Sequence, residues 1–314
     1  MKIIFMGTPD FAVESLKKLV ESGSNVIAVI TAPDKPAGRG KKLQASPVKI
    51  YAESQEITVL QPLKLKNPSF IEELRSYNAD LQVVVAFRML PEIVWDLPQF
   101  GTINLHGSLL PQYRGAAPIN WAVMNGETET GVTTFFIEKE IDTGKIIFKE
   151  TLAINATDNA GSMHDKLMIL GSNLVLKTVR SIEKGSYPQI DQEEFEELKS
   201  APKIFKEDCK IDWTKSIVEI HDFIRGLSPY PTAWTSFEVL GNGQKGSIKI
   251  FSSEIAENKT IKVPGTIISD NKTFLQIACK NGFIGVLSLQ MPGKKRLTIE
   301  DFLRGFDISQ LNIS

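Results

Sequence analysis

Asn104 and His106 are residues that could do chemistry, because they stand at alternate positions at the end of an apolar run. Successive side chains of a strand point to opposite faces, so these two share one face if the run is a strand. Further along the chain, Asp142 begins Asp-Thr-Gly, a sequence that is typical of a tight turn. An amide, an imidazole and a carboxylate together favour an acyl-transfer site.

Acyl transfer to an amine makes three demands: the amine loses a proton, the oxyanion needs a donor, and the leaving nitrogen needs a proton. The Asn104 amide can donate to the oxyanion. His106 can hold charge or exchange protons near neutral pH. Asp142 can orient His106 and favour its charged form, or collect the amine proton through water. No serine or cysteine is needed, since the attacking atom belongs to the substrate.

Each of these residues also has a purely structural interpretation. An Asn at a strand end often forms a turn, a single His is often structural, and Asp-Thr-Gly is a common turn. The spacing of Asn104 and His106 favours the joint catalytic interpretation, as does the loop after them, where Leu109 and Leu110 require burial or a ligand. No His, Cys and Asp cluster has metal-ligand spacing, so we expect no metal.

The composition of the chain is that of a globular protein with 314 residues, 42% of them hydrophobic and 23% charged. This length predicts two domains. The formal net charge of −1 means that any nucleic acid must be bound by local basic patches. Two cysteines indicate no disulfide framework and favour a reducing, cytoplasmic location. The apolar N-terminal run is too short for a signal peptide or a membrane span, so no membrane association is expected.

The first half of the chain alternates apolar strands with helices. Strands at 2–6 and 25–31 flank a helix at 11–22, a unit that predicts parallel strands. The turn after the first strand lacks the GxGxxG spacing, so a dinucleotide site is not expected. Further strands are predicted at 81–87, 101–105, 131–137 and 145–152, and a long helix at 160–184. The predicted fold class is α/β, with a Rossmann-like, mostly parallel sheet domain.

A change of composition near residue 190 predicts a second domain. A charged segment precedes a strand at 209–213 and a helix at 214–226. Five short strands follow, separated by Gly and Asn turns, which favours a small OB-like β-barrel. The predicted division is a catalytic domain at 1–189, a linker at 190–207 and an OB-like domain at 208–314.

A basic segment at 32–49 carries five Lys or Arg residues against the single acidic Asp34. Such a run is usually a solvated loop. Glycines on both sides of Arg39 also allow a mobile loop that becomes ordered on a polyanion. Both interpretations stay open on composition alone.

With these motifs, the sequence resembles the folate-dependent formyltransferases. The matching segments are 104–111, 114–118, 129–133 and 142–144, and the likeness extends over 7–11, 33–42 and 211–213. The Asn, His and Asp set marks the wider family. The basic segment and the second domain narrow the resemblance to the branch that formylates methionyl-tRNA.

The resemblance implies transfer of a formyl group from 10-formyltetrahydrofolate to the amino group of methionine on initiator tRNA, in translation initiation. It places catalysis at Asn104, His106 and Asp142. It also implies folate contacts at Ser108, Leu109, Leu110, Pro111 and Arg88, and tRNA contacts at Lys35, Arg39, Lys41 and Lys42 and in the C-terminal barrel. The turn at 87–91 differs from many members in length and charge. We expect a monomer.

Three alternatives remain at this stage. A sugar-nucleotide formyltransferase would use the same three residues but would not need the basic segment. A relative that hydrolyses the formyl folate would direct them at water. A non-catalytic RNA-binding protein with an OB-like module would leave Asn104, His106 and Asp142 unexplained.

Overall fold

The computed structural model describes residues 1–37, 42–193, 197–240, 243–256 and 260–313. These residues form two compact units. The first contains Met1–Pro118, Glu129–Ala153 and His164–Ala201, and the second contains Ile119–Thr128, Ile154–Met163 and the chain from Pro202 onwards. The segment predicted as a linker is therefore divided between the units. Within the described residues, no helix is long and apolar enough to cross a membrane.

Strands and helices alternate up to residue 201. In chain order they are β1 Lys2–Gly7, α1 Asp10–Glu21, β2 Asn25–Ile30, β3 Lys35–Ala37, β4 Lys42–Gln44, α2 Pro47–Ser54, β5 Thr58–Leu60, α3 Pro68–Ser76, β6 Leu81–Val85, α4 Glu92–Trp95, β7 Thr102–His106, β8 Arg114–Gly115, α5 Pro118–Met124, β9 Glu129–Phe136, β10 Ile146–Ala153, α6 Ala160–Glu183 and β11 Ser200–Ala201.

The sheet of the first unit is mostly parallel. Among the described residues its order is β10-β9-β7-β6-β1-β2-β5, with β7 through β5 parallel and β9 and β10 antiparallel. The central strands β1 and β6 are buried except for Lys2 and apolar except for Lys2 and Gln82, as a sheet covered on both faces requires. Gly7 ends β1 where a Cβ atom would lie 2.6 Å from the Cβ of Ala12, so β1 can turn closely into α1 only with glycine there.

The sheet is built outward from β1 in two directions. The chain runs from β1 to β2 and β5 on one side, and then returns to place β6 and β7 on the other side. In open α/β sheets, ligands bind beyond the carboxyl ends of strands at such a point. The carboxyl ends of β6 and β7 therefore lie where a ligand site is expected.

The second unit contains an antiparallel, nearly closed barrel-like sheet with the order β14-β15-β16-β13-β12-β18 and with β17 paired to β16. The elements beyond residue 201 are α7 Ile217–Gly226, β12 Ala233–Val239, β13 Lys245–Ile255, β14 Ile267–Ser269, β15 Leu275–Cys279, β16 Gly282–Gln290, β17 Leu297–Thr298, α8 Ile299–Leu303 and β18 Leu311–Ile313, with 3₁₀ helices at Glu207–Cys209 and Ile308–Gln310. The predicted fold class, a Rossmann-like domain followed by an OB-like barrel, is confirmed.

Two local predictions were wrong. The strand predicted at 209–213 is a 3₁₀ helix followed by an isolated bridge between Lys210 and Trp234, because this chain segment pairs with one residue only. The basic segment is not simply a loop, since β3 and β4 pair as a hairpin within it.

Candidate active site

Strand β7 positions Asn104 and His106 on one face. Ile103 and Leu105, the alternate residues, are almost completely buried on the other face. The strand lies between β6 and β9, and its backbone pairs with both. A strand held on both sides delivers the amide and the imidazole from a rigid base, which is what a catalytic site requires.

The His106 ring is nearly buried, with 6% exposure, and is oriented by the backbone of Tyr113. Its Nε2 atom lies 2.8 Å from the Tyr113 carbonyl oxygen. A carbonyl oxygen only accepts, so Nε2 carries the hydrogen and donates it. The other nitrogen, Nδ1, faces Asp142 at a distance of 3.8 Å from Oδ2. The tautomer therefore presents Nδ1 to the carboxylate.

Asp142 is held by the backbone of the loop that follows His106. Its Oδ2 atom accepts a hydrogen bond from the Gly115 amide at 2.9 Å. Asp142 has a φ of +57°, in the left-handed region. The same turn requires glycine at position 144, because a Cβ atom there would lie 1.8 Å from the Phe136 carbonyl oxygen. The 3.8 Å between Nδ1 and Oδ2 is too long for a direct hydrogen bond but suits an ion pair or a bridging water.

Asn104 is half-buried, and its side-chain amide makes no hydrogen bond to any part of the chain that the structure describes. Buried amides normally find partners within the protein. An amide left unengaged at the end of a rigid strand can donate to an oxygen of a ligand, as an oxyanion-hole donor must.

Thr133 on β9 fixes the loop that follows His106. Its hydroxyl donates to the carbonyl of Ser108 at 2.7 Å and accepts from the amide of Leu110 at 3.1 Å. The threonine is fully buried. The chemical pattern of the sequence did not single out this residue for the site, because its role depends on a contact between strands that carries no local signal.

The side chains expected to contact folate differ in what they expose. The Ser108 hydroxyl is buried and donates to the Gln112 carbonyl at 2.7 Å, while Leu110 packs in a core cluster with Phe135 and Ile146. Pro111 is also buried, and Leu109 is partly exposed. Of these four, Leu109 offers the most side-chain surface, and folate binding by the loop stays a prediction.

Arg88 lies in the turn after β6. Its guanidinium donates to the carbonyl oxygens of Leu63, at 3.1 Å, and Pro62, and lies over the Phe87 ring at 5.5 Å. Desolvation lowers the pKa of this guanidinium. The contacts fix the turn to the segment after β5, and a contact between Arg88 and folate stays a prediction.

The base of the β3–β4 hairpin is held by a cluster of charged and polar side chains. Lys49 Nζ lies 2.8 Å from Asp34 Oδ2 and 3.0 Å from Gln61 Oε1. The amide of Gln61 donates to Asp34 Oδ1 and to the carbonyl of Ala32, both at 2.8 Å. Lys49 is thus neutralised by Asp34, which leaves fewer free charges than the composition of the segment suggested.

The residues expected to contact tRNA lie in and next to this hairpin. Lys35 is exposed on β3, and Lys42 begins β4. Arg39 and Lys41 lie outside the described residues. In the part of the chain that the structure describes, no group of three or more His, Cys, Asp or Glu residues is arranged to hold a metal ion.

Comparison with known proteins shows the family to which the chain belongs. The model of the formyl transferase family matches residues 1–179, and that of the formyl transferase C-terminal domain matches 203–307. A methionyl-tRNA formyltransferase from Phocaeicola vulgatus is 59% identical over 317 residues, covering 99% of this chain and 98% of the relative. One from Bacteroides fragilis is 56% identical over 313 residues, covering 99% of this chain and 96% of the relative.

A solved structure extends the comparison to the fold. The N-formyltransferase from Helicobacter canadensis, in complex with folinic acid and dTDP-3-aminofucose, superposes with a TM-score of 0.63 at 21% identity. The match covers 95% of this chain and 100% of the other. At this identity the likeness concerns the fold alone.

Proposed function

The chain belongs to the formyl transferase family, and we propose that it transfers the formyl group of 10-formyltetrahydrofolate to the amino group of methionine esterified to initiator tRNA. The resemblance that the sequence indicated is thereby confirmed at the level of the family. The observation that carries the proposal is the arrangement of an unengaged Asn104 amide beside the His106 and Asp142 pair. The names of the relatives at 56% and 59% identity support methionyl-tRNA as the acceptor.

The reaction forms one C–N bond and breaks another. The amino nitrogen of the methionine attacks the formyl carbon, and the carbonyl oxygen gains negative charge, to which the Asn104 amide donates. The C–N bond to the folate nitrogen then breaks, and the oxyanion returns to a carbonyl. One proton leaves the amine and one proton reaches the folate nitrogen, so the balance is neutral.

His106 and Asp142 handle the proton that leaves the amine. The Asp142 Oδ2 atom accepts from the Gly115 amide and also faces His106 Nδ1. A water at the 3.8 Å gap can pass the proton between the amine and this pair. The donation from Nε2 to Tyr113 keeps the ring in place during the transfer.

The acceptor is recognised by features away from the catalytic triad. The exposed Lys35 and the Lys42 position belong to a hairpin that also carries Arg39 and Lys41 in the sequence. Cations in a hairpin segment suit contact with a phosphate backbone. The OB-like barrel is proposed as the second tRNA contact, since such barrels bind single strands and nucleic-acid ends. Action as a monomer in the cytoplasm stays a prediction.

One assay tests the proposal. The protein, the formyl donor and charged initiator methionyl-tRNA are mixed, and formyl-methionyl ester is measured over time. Uncharged tRNA and an amino-sugar nucleotide serve as comparison acceptors. Product with methionyl-tRNA alone supports the proposal. Product with the sugar nucleotide alone would favour the sugar-nucleotide formyltransferase, formate release without acceptor would favour the hydrolase, and tRNA binding without any product would favour the non-catalytic RNA-binding protein.

A further inference from the structure

Described residues that follow α6 contact β10 and the loop after His106. Ile190 exchanges backbone hydrogen bonds with Ile146, at 2.8 and 2.9 Å. The carbonyl of Lys199 accepts from the amide of Tyr113 at 2.6 Å, and that of Ala201 accepts from the amide of Ala117 at 3.1 Å. Residues 199–201 therefore hold the loop 112–117 from outside the catalytic motif.

Among the residues that follow α6, Gln192 makes the contacts that lie nearest to the catalytic carboxylate. Its amide nitrogen donates to the carbonyl of Asp142 at 2.8 Å and to that of Gly144 at 2.9 Å. Its amide oxygen accepts from Arg114 Nε at 3.1 Å and Nη2 at 2.6 Å. Two donors and two acceptor positions are the full capacity of a glutamine amide, so the side chain is completely engaged.

These four hydrogen bonds join the backbone of the Asp142 turn to the side chain of Arg114, a residue of the loop that positions His106. The Asp142 turn carries the carboxylate, and its left-handed backbone is held by the Gln192 donors. Arg114 lies between Tyr113, whose carbonyl orients His106, and Gly115, whose amide binds the Asp142 carboxylate. Gln192 thus links the turn that carries Asp142 to Arg114, whose two chain neighbours contact His106 and Asp142.

We infer that Gln192 is a positioning residue for formyl transfer, which sets the place of the Asp142 carboxylate relative to His106. The inference rests on the proposed function of this site. Because Gln192 is proposed to bind neither substrate, it acts on the rate of the chemical step and not on substrate affinity. A shift of about 1 Å in a reacting group can cost about 100-fold in rate, so a residue of this kind has a measurable effect.

The test replaces the amide in two ways. Gln192→Met keeps the length of the side chain and removes all four hydrogen bonds. Gln192→Glu keeps the acceptor for Arg114 but loses both donors to the Asp142 turn. We expect each variant to lower kcat tens-fold and up to about 100-fold, with KM for folate and tRNA within about twofold of wild type. The pH profile of kcat is expected to change as well, since the pair handles the proton.

The neighbouring residue provides the matched control. Asp191 makes an exposed ion pair with Lys145 at 3.8 Å, and its side chain is 86% exposed. Asp191→Asn is expected to keep the kcat and the pH profile of wild type. Thermal unfolding of each variant checks that it is folded. If Gln192→Met does not fold, Gln192→Glu decides the question.

A second measurement does not depend on activity. Hydrogen exchange of the Gly115 amide, which donates to Asp142, is followed by NMR in wild type and variants. We expect faster exchange in both Gln192 variants and no change in Asp191→Asn. If the wild-type protein does not formylate methionyl-tRNA, the proposed function is overturned, while the exchange of the Gly115 amide can still be compared between wild type and variants. Normal kcat in Gln192→Glu, or Gly115 exchange unchanged in Gln192→Met, would overturn the positioning role.

Discussion

At the scale of single residues, the site is a set of engaged polar groups around one unengaged amide. His106 is bound to Tyr113, Ser108 to Gln112, and Thr133 to the loop backbone. Asn104 makes no such hydrogen bond within the described chain. Groups that already have protein partners hold the shape of the site, and the amide without one is available to the substrate.

Replacing Asn104 by alanine removes that amide. We expect kcat to fall about 100- to 1000-fold, because one oxyanion-hole donor contributes about that much. KM for the formyl donor should change little, since the charge develops only in the transition state. Single-turnover kinetics with methionyl-tRNA measures the effect. A variant within threefold of wild type would exclude Asn104 as the oxyanion donor.

Replacing Asp142 by asparagine removes the charge and keeps an oxygen that can accept from the Gly115 amide. Turnover should fall about 100-fold or more, as expected when a group that handles a proton is lost. Folate affinity, measured by equilibrium titration, should stay near that of wild type. Normal turnover with weakened folate binding would assign Asp142 a binding role.

At the scale of elements, the apolar runs predicted the central sheet well. The strands predicted at 2–6, 25–31 and 101–105 lie within one residue of β1, β2 and β7 at each end. Buried parallel strands carry continuous apolar sequence, which is a strong signal. Asn104 and His106 could be placed for the same reason, because alternation along a strand decides which residues share a face.

Other elements carry no such signal. Strands of two or three residues, such as β8 and β11, are too short to show a period and form only because their partners are near in space. The hydrogen bond from Gln192 to Asp142 joins residues 50 positions apart. The positive φ of Asp142 and the Gly115 contact likewise depend on tertiary structure. The shared face of Asn104 and His106 could be predicted from the sequence, but not the residues that hold the candidate site.

The hairpin base allows a prediction at this scale. Hydrogen bonding by Lys49, and then by Gln61, lowers the pKa of the Asp34 carboxyl from its ordinary value of 3.8. A lowered pKa in the folded state means that the ion pair stabilises the fold above pH 3.8. This contribution is lost as the pH falls through the lowered value. Asp34→Asn should therefore unfold at a slightly lower temperature than wild type near neutral pH.

The difference in unfolding temperature between Asp34→Asn and wild type should shrink as the pH falls below 3.8 and through the lowered pKa of Asp34. Calorimetry at several pH values measures this difference. The same variant should raise KM for methionyl-tRNA several-fold and leave KM for folate unchanged, because Asp34 holds the hairpin proposed to contact tRNA and not the loop proposed to contact folate. Gln55→Ala, which removes an exposed amide bonded only to Ser54 in the described structure, is the control. A pH-independent difference would show that the charge of Asp34 has no part.

At the scale of the whole molecule, positive and negative charges nearly balance. The formal net charge of −1 gives the chain no overall attraction for a polyanion. Lys49 is paired with Asp34, and the other cations of the basic segment in the sequence are Lys35, Arg39, Lys41 and Lys42. Binding of tRNA should therefore depend on a few local contacts.

The salt dependence of tRNA binding tests this local attraction. Replacing Arg39 and Lys41 together by alanine should weaken binding and flatten the plot of log Kd against log salt, by about one for each phosphate contact that is lost. Lys66→Ala with Lys184→Ala removes the same charge from exposed positions elsewhere and should leave the slope unchanged. Filter binding over a series of salt concentrations measures both pairs. Equal slopes in the Arg39 and Lys41 double variant and in wild type would remove the hairpin from the interface and leave the barrel as the tRNA contact.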